Sequence, residues 1–68
     1  MSDNPIRALR EKRRWTQAEL AERVMVARET VWRWEHGRRP QRWAVRLLAA
    51  AFRLDARKLQ EEIDAYYA

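Results

Sequence analysis

The stretch TQAELAERVMVARETVWRWEHG, Thr16 to Gly37, carries two helical signatures separated by a short break, and its reading decides the fold. It opens on Thr16-Gln17-Ala18-Glu19, a capping box. The Thr16 hydroxyl can accept from the Glu19 backbone N–H while the Glu19 carboxylate reaches back to the Thr16 N–H. Leu20, Ala21 and Val24 then share one side of a helix. Met25-Val26-Ala27 interrupts the pattern, and a second helix runs on to Gly37, a residue suited to the left-handed position just past a helix end. Two helices joined by so short a break cross one another.

Residues two apart on a helix point in different directions, so Trp32 and Trp34 cannot enter the same core. At about 100° per residue, one arc of this helix holds Arg28, Glu29, Trp32, Arg33 and His36. The opposite arc holds Ala27, Thr30, Val31 and Trp34, with Glu35 at its edge. Trp34 therefore reads as core, as does Trp15, while Trp32 lies in the middle of the charged arc.

Outward from this pair the punctuation continues. Asn4 before Pro5 is an N-cap followed by proline at the first helical position, and predicts a helix to about Arg13 with Ile6 and Leu9 inward. Pro40 sits in a connector. A fourth helix is expected from about Arg42 to Phe52, with Val45, Leu48, Ala49 and Phe52 inward. Asp55 caps a fifth, whose stripe is Leu59, Ile63 and Tyr66 or Tyr67. No segment sustains strand alternation. The expected class is all-α, a compact five-helix domain spanning residues 1–68 with a helix-turn-helix formed by the second and third helices.

With 68 residues and 8.3 kDa the chain is one domain or a fragment of a longer protein. A core this small favours dimerisation or very regular helix packing. A hydrophobic fraction of 47% beside 37% charged residues argues against disorder. The absence of cysteine excludes a disulfide framework and any thiolate metal site. No apolar run approaches the roughly 18 residues that cross a bilayer, and no secretory pattern opens the chain, so a cytoplasmic protein without membrane contact is expected. The net charge of +5 is unevenly spread: Arg7 to Arg46 carries twelve basic and five acidic residues, Leu54 to Ala68 two basic and four acidic. A basic body with a mildly acidic tail points to a polyanion such as nucleic acid.

The segment RALREKRRWTQAELAERVMVARETVWRWEHGRRP resembles the phage-repressor and Cro type of helix-turn-helix domain, also called the xenobiotic-response-element type. The resemblance is carried by Arg10, the Thr16-Gln17-x-Glu19-Leu20-Ala21 run, Val24, Val26, Thr30-Val31, Trp34-Glu35 and Gly37. It continues through LLAAAFRLDARKL and so covers roughly residues 5–60. It implies a five-helix domain that binds double-stranded DNA, usually as a homodimer on palindromic operators. Two positions depart from the family pattern. Met25 stands where glycine is preferred, at about 1 kcal/mol for a left-handed non-glycine. Ala27 stands where a Ser or Thr cap is preferred, at about 1 kcal/mol more.

Recognition helices read DNA with side chains near the end that enters the major groove. The family's base-reading positions fall on Ala27, Arg28, Glu29 and Arg33, and the outward arc adds Trp32. Arginine can bond guanine O6 and N7, glutamate can accept from cytosine N4, and alanine can touch only a thymine methyl. The competing reading is a solvated helix face with Glu29 and Arg33 paired. An exposed indole at Trp32 has three uses: apolar contact with thymine methyls or deoxyribose, a cation–π partner for an arginine, or a protein contact. The flanking Arg28, Arg33 and His36 favour the DNA side.

Candidate backbone contacts are Gln17 at the start of its helix, Arg38, Arg39 and Arg42 beyond Gly37, His36 as a cap or phosphate ligand, and Trp43, which can bury or lie along the sugar-phosphate chain. The resemblance implies that Arg10 and Glu35 form a structural ion pair, with a phosphate as a secondary target of Arg10. The stripe Leu59, Ile63, Tyr66 and Tyr67 is the candidate dimer patch, the competing reading being closure onto the domain's own core.

No paired catalytic carboxylates, glycine-rich phosphate loop, H-E-x-x-H motif or nucleophile elbow occurs. No catalytic residue, metal or cofactor is therefore assigned. The expected function is a sequence-specific, double-stranded-DNA-binding transcriptional regulator, a repressor acting as a homodimer. The alternative is a protein-interaction module of the same fold, such as an antitoxin or bridging factor.

Overall fold

The computed structural model describes residues 4–68 and contains five helices: α1 (Pro5–Lys12), α2 (Gln17–Arg23), α3 (Arg28–Glu35), α4 (Arg42–Phe52) and α5 (Ala56–Tyr66). Three begin on the caps that the sequence specifies. The Asn4 side chain accepts from the N–H groups of Ile6 and Arg7 at 3.0 Å each. Thr16 and Glu19 close the capping box in both directions, at 3.0 and 2.7 Å. Asp55 accepts from Arg57 and Lys58, and the bonds from Lys58 and Arg57 hold its carboxyl below the usual aspartate value. Ala27 and Gln41 precede α3 and α4 without a side-chain cap.

Four of the five helix ends share one device. A residue with left-handed φ follows the last turn, and the next N–H returns to a carbonyl five residues back. Trp15 N–H reaches the Arg10 carbonyl at 3.1 Å after Arg14 (φ 59°), and Val26 reaches Ala21 at 3.0 Å after Met25 (φ 60°). Arg38 reaches Arg33 at 2.8 Å after Gly37 (φ 107°), and Leu54 reaches Ala49 at 2.8 Å after Arg53 (φ 57°). Only one of the four is glycine. The sequence signals this turn at Gly37 and Met25 but not at Arg14 or Arg53. α1 accordingly closes at Lys12, one residue short of the expected end.

The core draws on every helix: Ile6, Leu20, Ala21, Val24, Val31, Trp34, Ala44, Val45, Leu48, Ala49, Phe52, Leu59 and Ile63 are buried. α2 packs across α3, and α4 against α5. Trp15 corrects the core expectation in part. It is half-buried, stacked on Phe52 with ring centroids 5.5 Å apart, and the Arg23 guanidinium lies 4.1 Å above its ring. An indole at the core's edge gains a cation there that a fully buried one would have no room for.

Leu59 and Ile63 also settle inward, 2% and 0% exposed, so the candidate dimer patch on these residues is corrected: α5 spends its apolar stripe on this chain's own core. Tyr67 is half-buried, and of the four only Tyr66 is exposed. Among the described residues, no helix is long and apolar enough to cross a membrane.

A knot of polar groups ties Asn4, ahead of α1, and Tyr67, behind α5, to α3. Asn4 Nδ2 donates to the Trp34 carbonyl and to the Tyr67 hydroxyl, 3.0 Å each, and the Tyr67 hydroxyl donates to the same carbonyl. That carbonyl belongs to the last turn of α3 and would otherwise lack a helical partner. Burial raises the Tyr67 pKa above its ordinary value, with the Asn4 bond opposing.

Candidate nucleic-acid interface

The outward arc of α3 emerges as the wheel predicts: Arg28, Glu29, Trp32, Arg33 and His36 are exposed while Val31 and Trp34 are buried. Ala27 is exposed at the N-cap position. Gln17, Arg28, Glu29, Trp32 and Arg33 together line a depression of about 350 Å³ between the start of α2 and the face of α3. Two guanidinium groups, a carboxylate, an amide and one indole thus share a single concavity. Its donors and acceptors match the polar edges that base pairs show in the major groove.

A second depression, about 210 Å³, lies between the end of α3 and the start of α4, and Thr30, Arg33, Trp34, Arg38, Arg39, Gln41 and Trp43 line it. Arg38 and Arg39 are thereby brought beside Trp43, which is half-exposed and whose indole N–H donates to Gln41 Oε1. Arg42 faces elsewhere, into a groove between α4 and α5 shared with Arg46 and Arg57. Arg39 already holds Asp64 of α5 through two N–H donors at 2.8 Å. That pair is exposed on both sides, so it costs little to exchange Asp64 for a phosphate.

Arg10 pairs with Glu35, as the resemblance implies, and Gln17 joins them. The Arg10 side chain is only 12% exposed, and three of its five N–H donors are taken: Nε meets Glu35 Oε2 at 2.7 Å, one terminal nitrogen meets Oε1 at 3.1 Å, and the other meets the Trp15 carbonyl at 2.7 Å. These bonds to Glu35 raise the guanidinium pKa further, against the lowering effect of burial. Arg10 thus ties α1 to the end of α3, the structural role that the resemblance implies. The Gln17 amide donates one of its two N–H groups to Glu35 Oε1 at 3.1 Å. The Gln17 side chain helps close the ion pair while its outer edge lines the α3 depression.

His36 was expected to cap the helix or meet phosphate, and the cap is what forms: its Nδ1 lies 2.7 Å from the Trp32 carbonyl. Its ring also stacks on Trp32, centroids 3.8 Å apart and planes 14° from parallel. Neither the stack nor the Asn4–Trp34–Tyr67 knot was read from the sequence. The first had a signal, since residues 32 and 36 are one helical turn apart. The second had none, because it joins residues 63 positions apart.

A family model described as helix-turn-helix matches residues 6–59. Neither a curated protein nor a solved structure gave a match. Over most of its length, and with capping box, left-handed break and outward arc at their expected positions, the chain belongs to the Cro/C1-type helix-turn-helix family of DNA-binding transcription regulators.

Proposed function

We propose that this chain is a sequence-specific regulator of transcription, a repressor that binds a palindromic operator as a homodimer, with residues 1–68 acting as one domain. The observation that carries the reading is the depression on α3, where Arg28, Arg33, Glu29 and Trp32 surround one concave surface. Arg28 and Arg33 take guanine edges, Glu29 takes cytosine N4, and Ala27 sits where only a methyl group can be touched. Arg38, Arg39 and Arg42 supply phosphate contacts on either side.

Because Leu59 and Ile63 are core residues, the second copy in this reading sits on apolar side chains that stay exposed. Trp43, Leu47 and Ala50 share the outer face of α4 and remain exposed, and Tyr66 is the exposed remnant of the α5 stripe. The same exposed face supports the second reading, a protein-interaction module.

Salt separates the two. Selecting sequences from random duplex DNA and titrating the best one at several salt concentrations gives the slope of log K against log salt, about −0.9 for each phosphate neutralised. With three arginines per subunit on phosphates, a slope of about −3 per subunit is expected. A slope near zero, with salt-tolerant binding to a protein partner, would overturn the DNA reading in favour of the module.

A further inference from the structure

The Trp32–His36 pair has features that a solvated helix face does not explain. A carbonyl oxygen can only accept, so at 2.7 Å from the Trp32 carbonyl the His36 Nδ1 carries the proton. This bond closes one of the orphan carbonyls at the end of α3 and pins the imidazole in place. The imidazole in turn covers one face of the indole, 3.8 Å away and nearly parallel. The indole is thus held by its own helix, yet it remains half-exposed. Holding a large side chain in one orientation costs conformational entropy, and leaving it in water forgoes burial. What the arrangement provides is a rigid apolar plate among polar groups: in the depression formed with Gln17, Arg28, Glu29 and Arg33, Trp32 is the sole apolar side chain.

The major groove presents hydrogen-bond donors and acceptors along every base edge, and one kind of apolar group, the C5-methyl of a pyrimidine. We infer that Trp32 is a specificity-determining residue that packs on a pyrimidine C5-methyl, and that His36 is the positioning residue that holds it there. This rests on the proposed DNA-binding function and names what the one indole in that depression recognises. The methyl group belongs to thymine in unmodified DNA and to 5-methylcytosine in modified DNA. Glu29, beside Trp32 in the same depression, is able to accept from a cytosine N4 if the second source applies.

The test uses the full chain and its selected duplex. Each thymine is replaced in turn by deoxyuridine, and each cytosine in turn by 5-methylcytosine, which removes or adds one methyl group without changing hydrogen-bonding groups. A buried methyl is worth about fourfold in affinity. The wild-type protein should lose about fourfold at one thymine per half-site, or gain about fourfold at one cytosine, which tells the two sources apart.

Trp32→Ala should melt like the wild type and show no methyl effect at that position. His36→Ala should shrink the effect, and His36→Phe, which keeps a stacking ring, should restore it. A merely structural His36 would change stability while leaving the ratio between methylated and unmethylated duplexes intact. Selective binding with no methyl effect anywhere, or an effect that survives in Trp32→Ala, overturns this inference alone. Failure to select any duplex overturns the DNA-binding reading and this inference with it.

Discussion

Removing Glu35 should be among the most damaging single changes outside the apolar core. Its carboxylate is 2% exposed and accepts three hydrogen bonds, two from Arg10 and one from Gln17. In Glu35→Ala the Arg10 guanidinium, 12% exposed in the native pair, keeps only the Trp15 carbonyl to meet. Breaking a buried pair on one side costs about 3–5 kcal/mol. Residual water access at Arg10 places this case near the low end, at about 3 kcal/mol, and the stranded Gln17 amide adds about 1 kcal/mol. Arg10→Ala leaves the more deeply buried carboxylate behind and should cost about 4 kcal/mol.

The double variant strands no charge, so it should cost about 4 kcal/mol rather than the roughly 8 kcal/mol of independent losses, a coupling near 4 kcal/mol. Replacing the pair by Arg10→Met with Glu35→Leu should bring stability back to within about 1 kcal/mol of wild type. A domain of this size holds only about 3–10 kcal/mol in total, so urea melts are best run in trimethylamine N-oxide, which lifts every variant alike. Strict additivity of the two alanine variants, at unchanged denaturant slope, would show that the pair drawn in the structure contributes nothing as a pair.

Two further outcomes follow from the turns and the knot. Met25→Gly relieves about 1–2 kcal/mol of left-handed strain and adds about 0.4–1 kcal/mol of unfolded-state freedom. Since Met25 is 85% exposed and packs on nothing, a gain of about 0.5 kcal/mol is expected in thermal melts, and a loss would mean that its side chain has a contact. Tyr67 has a folded pKa raised above its ordinary 10.0, so the stability it supplies is complete below pH 10 and is lost as pH rises through the folded value. Melts of the wild type beside Tyr67→Phe should therefore show an advantage that shrinks above pH 10, and a constant advantage would remove the hydroxyl from the knot.

Short-range chemistry made the fold readable. The Thr16–Glu19 box, the Asn4-Pro5 start and the Asp55 cap each bind backbone groups within a few residues, so the sequence alone reveals them. The Trp32/Trp34 split is likewise local, a matter of angle on one helix. What a wheel does not tell is against which surface an apolar stripe lies. Leu59 and Ile63 announce a buried face, and both a partner and the chain's own core satisfy that pattern. Arg14 and Arg53 were illegible for a different reason: arginine carries no mark of left-handed geometry, and only tertiary closure forces it. The Arg10–Glu35 pair was legible through the family resemblance, whereas the Gln17 amide that joins it carried no mark, because its partner lies on a distant element, α3.

The tie between Asn4 and Tyr67 also has a kinetic consequence. It closes a loop of 63 residues, nearly the whole described chain, and on loop entropy alone such a closure costs about 3–4 kcal/mol more than a contact between neighbours. Contacts of that kind form after the local ones in folding and are among the first to open again. When Tyr67 lets go, the Trp34 carbonyl loses one of its two partners outside its own helix, and the last turn of α3 is held less tightly. The stability of the reading surface is therefore graded along its length. Its beginning is fixed by the early, local closure at Met25, while its end, where Trp32 rests on His36, gains its last partners when Asn4 and Tyr67 meet.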